Sequence, residues 1–511
     1  MSKSLRQKLW KLSVTGLDGP VLSGEERKLL SESPPAGIIL FSRNVTGLNQ
    51  LISLTTELRR LIPDLLIMAD HEGGIISVLA DAAGVPPSQM AAGSAEDREL
   101  RAEVYRETAG RLNYCGINTL LGPVADVNTE ILNPVIGTRA FPGPASGVSG
   151  LVKEAVRYYG EEGVITCLKH FPGHGGTAAD SHLTLPRVPP LSSPAGRNAL
   201  EPFASGIEEG AEMVMTGHLR TGESPVPASM DRKVIGCLRN EMGFRGVVIT
   251  DALEMGGAVE RSGGIGGSVS ISSEALVAGN DLLLYSAPAC CAFTALGREL
   301  EEAAEGVIPA IRGIEETAAK SLERISGLKE RALIRDPGPN GREGFSDDPY
   351  MKAATAACRV YGDISPVSAP FRCRFTGERS DFLLRPAQHF IAEIMNSIGF
   401  RGADNLSSPG RASSFLEENL VSSRHSKDLM ELRLDPGESG GADILFQLCR
   451  KPSARIGIEE AVGPGGIVVI SEYPPELEMI PEGRAVIVTL GTFPAAARAV
   501  LKIMSLESNR R

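Results

Sequence analysis

Aromatic residues are scarce in this chain, at 5% with a single tryptophan, and histidine is rarer still, with seven in 511 residues. No excess of basic residues is present. The formal net charge of -11 argues against a nucleic-acid partner, which would require a basic face. No apolar run is long enough to span a bilayer, so no membrane partner is expected. The N-terminal stretch MSKSLRQKLWKLSVTG lacks a continuous apolar core and a small-residue cleavage pattern, so no signal peptide is expected. The eight cysteines (Cys115, Cys167, Cys237, Cys290, Cys291, Cys358, Cys373 and Cys449) form no CxxC pair and no regular framework. That pattern excludes a disulfide scaffold and fits small apolar core residues in a reducing cytoplasm.

What the chain does have is length and a recurring pattern. A sequence of 511 residues exceeds one ordinary core and implies two or three domains. Through the first two thirds, short Val/Ile/Leu-rich runs stop abruptly at polar or glycine residues, and amphipathic segments such as LNQLISLTTELRRLI follow. The runs are WKLSV, GIILFSRN, DLLIMADHEGG, INTLLGPVADV, VITCLKH, EMVMTGH, GVVITD and NDLLLYS. Runs apolar on both faces, alternating with helices, are what a parallel sheet covered by helices requires. Eight of them predict a (β/α)8 TIM-type barrel within an α/β fold. The predicted organisation is a barrel domain over residues 1–332, a Pro/Gly/charge-rich linker over 333–350 and a smaller α/β domain over 351–511. In that last part ADILFQL, GGIVVISE and AVIVTLGT read as strands of an open sheet, and AAARAVLKIM as a terminal helix.

A barrel places its chemistry at the C-terminal ends of its strands. Asp70, Asp126, Lys169, His170, His218 and Asp251 all stand where an apolar run gives out. Three of the seven histidines crowd into KHFPGHGGTAADSH, from Lys169 to His182. The i, i+4 spacing of His170 and His174 suits zinc on a helix, but Pro172-Gly173 breaks that helix, so no metal site is expected. Asp180 and His182 lie two apart, which in an extended segment puts both side chains on one side. A carboxylate beside an imidazole suits proton delivery near neutral pH. The glycines around them predict a lid from Gly173 to Ser181. Asp251, at the end of GVVIT, has two readings at this point: a nucleophile toward an anomeric carbon, or a helix N-cap.

KHFPGHGGTAADSH followed by LTLP resembles the signature of the bacterial β-N-acetylhexosaminidases of glycoside hydrolase family 3, the NagZ type. AGIILFSRNV, ADHEGG, GPVADVN, NPVIGTRAF, MVMTGHL and PASMDRKVIGCLRNEMGFRGVVITDALEMGG follow in the family's order. The resemblance implies Asp251 as catalytic nucleophile, His182 as acid/base catalyst and Asp180 as its orienting partner. It also implies that Asp70, Arg139, Lys169 and His170 hold the terminal sugar, with no cofactor and no metal. His174 would belong to the loop's hinge.

Some positions depart from the pattern. The family writes DQEGG followed by two arginines, where this chain reads DHEGGIISV. Ile75 and Val78 therefore replace arginines, one of which helps to bind the sugar. Ala252 stands where an acidic residue is common. The expected activity is a retaining exo-β-N-acetylglucosaminidase acting in the cytoplasm on small carbohydrate or muropeptide substrates in cell-wall recycling. The alternatives are a family-3 phosphorylase or β-glucosidase, because a histidine acid does not repel incoming phosphate, or a degenerate sugar-binding barrel.

Overall fold

The computed structural model describes residues 7–130, 133–177, 185–222, 224, 226–255, 271–296, 311–335 and 345–361. In the C-terminal region it describes 372–377, 421–422, 430–434, 443–448, 467–471, 485–488, 496 and 500. The chain forms two compact units. The first comprises Met1–His71, Tyr105–Ile136 and Pro142–Gly344, and the second Glu72–Val104, Gly137–Phe141 and Phe345–Arg511.

In the first unit, strands β1 (Ser13–Gly16), β2 (Gly37–Leu40), β3 (Leu66–Ala69), β4 (Thr119–Leu120), β5 (Ile165–Phe171), β6 (Met213–Thr216), β7 (Val247–Thr250) and β8 (Leu283–Pro288) form one sheet. All pairings are parallel, in the order β7-β6-β5-β4-β3-β2-β1-β8. The ends meet through a parallel bridge between Ile249 and Leu282. Hydrogen bonds from Thr250 N–H to the Leu282 carbonyl and from Leu282 N–H to the Val248 carbonyl, both 3.0 Å, accompany it. The sheet is therefore a nearly closed (β/α)8 barrel. Strands such as LIMA and VVIT are buried at every residue, as a sheet covered on both faces demands.

The helices α1 (Gly24–Glu32), α2 (Leu48–Leu61), α3 (Arg98–Tyr114), α4 (Ala145–Glu161), α5 (Pro194–Glu208), α6 (Arg232–Gly236), α7 (Ile271–Ala278) and α8 (Ile311–Arg335) follow the eight strands in turn. Helix α2 buries Leu51, Leu54 and Leu58, one stripe at helical spacing. Helix α1 starts with a capping box between Ser23 and Glu26, a device that stabilises a helix start by about 1 kcal/mol. The strands are shorter than the apolar runs. INTLLGPVADV contributes only Thr119–Leu120 as regular strand, because Pro123 has no N–H to give the ladder.

At the N-terminal end of the barrel, Asp281 ties the closing strands to their cover. Its carboxylate accepts from Val248 N–H (2.9 Å), Ser321 Oγ (2.8 Å), Arg324 Nη1 (2.8 Å) and Arg239 Nη2 (2.5 Å). A carboxylate buried with no exposed area is tolerated because several donors satisfy it.

In the second unit, β9 (Arg359–Tyr361), β10 (Arg372–Gly377), β11 (Val421–Ser422), β12 (Met430–Leu434), β13 (Asp443–Leu448), β14 (Ile467–Ser471) and β15 (Ala485–Val488) form an open sheet in the order β9-β15-β14-β13-β10-β12-β11. The central pairs are parallel, and the flanking pairs β9-β15, β10-β12 and β11-β12 are antiparallel. The three strands expected from sequence are β13, β14 and β15. Of the expected terminal helix, Ala496 and Val500 are helical and buried, and its other residues lie outside the described ones. Of the expected linker, 336–344 also lie outside them, and α9 (Asp348–Ala357) begins within it. Helix α9 packs on the short helix Gln89–Ser94, which in turn packs on the turn Gly137–Arg139. No described helix is long and apolar enough to cross a membrane.

Candidate active site

Four of the strand-end residues of the first unit form two pairs at the barrel's C-terminal mouth. Lys169, in β5, is 2% exposed, and its ammonium lies 2.6 Å from an oxygen of Asp70, the residue after β3. A lysine this deeply buried requires such a counter-charge. Between these strands, Asp126 is fully buried and accepts from three directions. They are the His170 N–H (3.2 Å), the His174 N–H (2.6 Å) and the His170 Nδ1 (2.8 Å). A carboxylate only accepts, so Nδ1 of His170 carries a proton and its Nε2 is the edge turned away from Asp126.

Asp251 follows β7 directly. Its N–H donates to the Thr216 carbonyl (2.9 Å), and its Oδ1 accepts from the N–H of Ala252 (2.8 Å). The residues through Met255 form a turn and not a helix, so the helix N-cap reading has no helix to cap. Beyond it, Glu254 accepts from the N–H groups of Ser286 (3.2 Å) and Ala287 (3.1 Å), fastening this turn to β8. Cys167 lies buried in β5. Burial raises its thiol pKa, Lys169 opposes that rise, and Asp70 and Asp251 add to it.

His174 stands beside His170 with a partner of its own. Its ring lies 6.0 Å from that of His170, at 77°, and its Nδ1 faces the Thr177 hydroxyl at 2.9 Å. The two imidazoles turn their Nδ1 atoms to different partners, unlike a helical zinc pair. Nor do residues Gly173–Thr177 form a free lid. The His174 carbonyl accepts from Asn133 Nδ2 (2.9 Å), and the Gly175 carbonyl accepts from the N–H groups of Thr129 and Glu130 (both 3.1 Å). Gly175 sits so close to the Val127 carbonyl that a Cβ would collide with it, which explains glycine there by packing and not by hinge freedom. Asp180 and His182 lie outside the described residues, as does the rest of the expected lid.

Arg139 belongs to the second unit. Its guanidinium makes a two-point pair with Glu72, Nε to Oε2 and Nη2 to Oε1, each 2.8 Å. Both side chains are buried, and the fork geometry fixes the plane of the arginine. Glu72 went unassigned in the sequence reading; its signal was an acidic residue two positions after Asp70 and directly before Gly73-Gly74. Ser229 and Asn280, which bond into the network of His218, carried no such signal.

His71, where the family pattern has glutamine, is 1% exposed, and among the described residues neither ring nitrogen has a hydrogen-bond partner. Burial, with Arg111 nearby, lowers its pKa from 6.5 to about 3. The neutral ring is therefore the folded form, and protonation favours unfolding. This stability is complete above pH 6.5 and is lost as pH falls toward 3. Between pH 7 and pH 5 the loss from this group is expected to be about 2 kcal/mol. Urea unfolding of the wild type and His71→Gln at both pH values checks it; equal pH dependence in the two proteins would assign the effect elsewhere.

The first unit is thus a parallel α/β barrel with carboxylates, a lysine and a histidine at its C-terminal mouth, where barrel enzymes carry their chemistry. The family model described as "Glycosyl hydrolase family 3 N terminal domain" matches residues 4–325. The chain belongs to glycoside hydrolase family 3 and is a glycosidase. It is 36% identical over 275 residues to a beta-hexosaminidase of Chromobacterium violaceum, covering 52% of this chain and 76% of that one. To a beta-hexosaminidase of Methylococcus capsulatus it is 35% identical over 277 residues, covering 52% and 80%. In structure it is similar to a glycoside hydrolase family 3 beta-N-acetylglucosaminidase from Paenibacillus sp. str. FPU-7. That likeness has a TM-score of 0.75 and 26% identity, and covers 98% of this chain and 97% of the other.

Proposed function

We propose that this chain is a retaining, exo-acting β-N-acetylglucosaminidase that removes terminal β-linked N-acetylglucosamine, from peptidoglycan fragments in cytoplasmic cell-wall recycling. The observation that carries the reading is the buried Lys169–Asp70 ion pair at the C-terminal mouth of a family-3 barrel, with Asp251 directly after β7 at the same end of the sheet. The names of the similar proteins, beta-hexosaminidase and beta-N-acetylglucosaminidase, support the hexosamine.

In this reading Asp70, Lys169, His170 and Arg139 grip the sugar hydroxyls. The pairs with Asp126 and Glu72 hold His170 and Arg139 in one orientation, so little order is lost on binding. A carboxylate oxygen of Asp251 attacks the anomeric carbon as the bond to the leaving oxygen breaks, and His182 gives that oxygen its proton. Water then attacks the same carbon, His182 takes the proton from the water, and the ester bond to Asp251 opens. Two inversions leave the configuration retained. Asp180 orients His182 and favours its charged form. The chemistry is assigned to the barrel domain, residues 1–332, joined through the linker 333–350 to a C-terminal α/β domain, 351–511.

The reading is tested by comparing an aryl β-N-acetylglucosaminide with the matching aryl β-glucoside, each with and without inorganic phosphate. Preferential release of N-acetylglucosamine, independent of phosphate, is expected. A sugar 1-phosphate product would replace hydrolysis by phosphorolysis. A preference for the glucoside would replace the hexosaminidase, and no turnover of either would leave a binding barrel.

A further inference from the structure

His218 follows β6, is completely buried, and has no part in the chemistry above. Its Nε2 lies 2.9 Å from the carbonyl oxygen of Ala252, and its Nδ1 lies 2.8 Å from the hydroxyl of Ser229. A carbonyl oxygen only accepts, so Nε2 carries the proton. In the neutral ring Nδ1 then accepts from the Ser229 hydroxyl. Both ends of the ring are thereby held, and one tautomer is selected.

The network continues through groups that are also fully buried. The backbone carbonyl of Ser229 accepts from Asn280 Nδ2 at 2.7 Å, and the same amide donates to the Ala275 carbonyl at 2.6 Å. Asn280 Oδ1 accepts from Thr216 Oγ1 at 2.8 Å. The carbonyl of Thr216 accepts the N–H of Asp251 at 2.9 Å. The chain of bonds therefore returns to its start. One end holds the peptide before Asp251, and the other, through His218, holds the peptide after Ala252. The carboxylate of Asp251 is itself bonded to the Ala252 N–H between those two points.

We propose that His218 is a positioning residue for Asp251, clamping the Asp251-Ala252 backbone so that the carboxylate faces the anomeric carbon in both chemical steps. The proposal rests on the reading of Asp251 as nucleophile. A misplacement of about 1 Å at a reacting group costs on the order of 100-fold in rate, and side chains locked by buried hydrogen bonds are what hold such geometry.

The test compares His218→Gln, His218→Asn, Ser229→Ala and Asp251→Ala in the full chain. The probe is a 5-fluoro β-N-acetylglucosaminyl fluoride, which traps the nucleophile as a sugar ester. Ground-state binding is read separately as inhibition by N-acetylglucosamine. The glutamine amide nitrogen lies near the position of imidazole Nε2 and can still donate to the Ala252 carbonyl, whereas the shorter asparagine cannot reach it. His218→Asn is expected to slow trapping by about 100-fold with inhibition unchanged, and His218→Gln to recover trapping to within about tenfold of wild type. Ser229→Ala, which frees the tautomer but leaves the bond to Ala252, is expected to slow trapping by roughly five- to tenfold, from one weakened hydrogen bond. Wild-type trapping in His218→Asn, or equal losses in the Gln and Asn variants, would overturn the proposal. Should the Asn variant not fold, unchanged trapping in Ser229→Ala would overturn it equally. Continued hydrolysis by Asp251→Ala would instead remove the nucleophile reading on which the proposal stands.

Discussion

Asp251→Ala is expected to reduce turnover of an aryl β-N-acetylglucosaminide by on the order of 10⁴-fold or more, as loss of a covalent nucleophile does. The barrel should be unaffected. Asp251 is half-exposed at the strand end, and the groups that close the sheet, Asp281 with Arg239 and Arg324, lie at the other end of the strands. Unfolding free energy should therefore change by no more than about 0.5 kcal/mol. Small anions offer a further check. Azide or formate can occupy the space the carboxylate leaves and attack the sugar in its place, so partial rescue with inverted product is expected. A variant that keeps its full rate, or that loses rate only in proportion to unfolded protein, contradicts the assignment.

The second large effect concerns His182. If it protonates the leaving oxygen, His182→Ala should slow substrates with poor leaving groups by about 10²–10⁴-fold. Aryl glycosides whose phenolate departs unaided should lose far less in the first step. Asp180→Asn should give a milder form of the same dependence, because the imidazole remains and loses its charged partner. The measurement is kcat/KM against leaving-group pKa for the three proteins. A steeper slope in His182→Ala is expected, whereas parallel lines would make His182 a residue that merely positions the sugar.

Much of this site could be read before its geometry was known. Apolar runs that stop at Asp70, Asp126, Lys169, His170, His218 and Asp251 become barrel strands ending at one face, because burial on both sides leaves polar residues no place but the ends. What the pattern could not carry is which group each residue holds. Asp126 is 44 positions from His170, and Asp70 is 99 from Lys169; closure of the barrel brings them together, and no local spacing encodes that. The same is true of His218, whose role depends on Ser229 and Asn280. The glycines after His170 misled for a related reason. Gly175 reads locally as freedom, but a neighbouring carbonyl occupies the space where its Cβ would stand. Strand lengths were overread where proline interrupts a ladder, as at Pro123.

Retaining chemistry on a terminal N-acetylglucosamine through Asp251 requires a covalent sugar ester at that residue. It is tested most directly by incubating the intact protein with the 5-fluoro β-N-acetylglucosaminyl fluoride, digesting it, and sequencing the labelled peptide by mass spectrometry. A single sugar ester on Asp251 is expected, in the peptide containing GVVITDALEM, formed at a rate that N-acetylglucosamine slows by competition. Label on any other carboxylate, or steady turnover of natural substrate by a protein that never accumulates the ester, would contradict it.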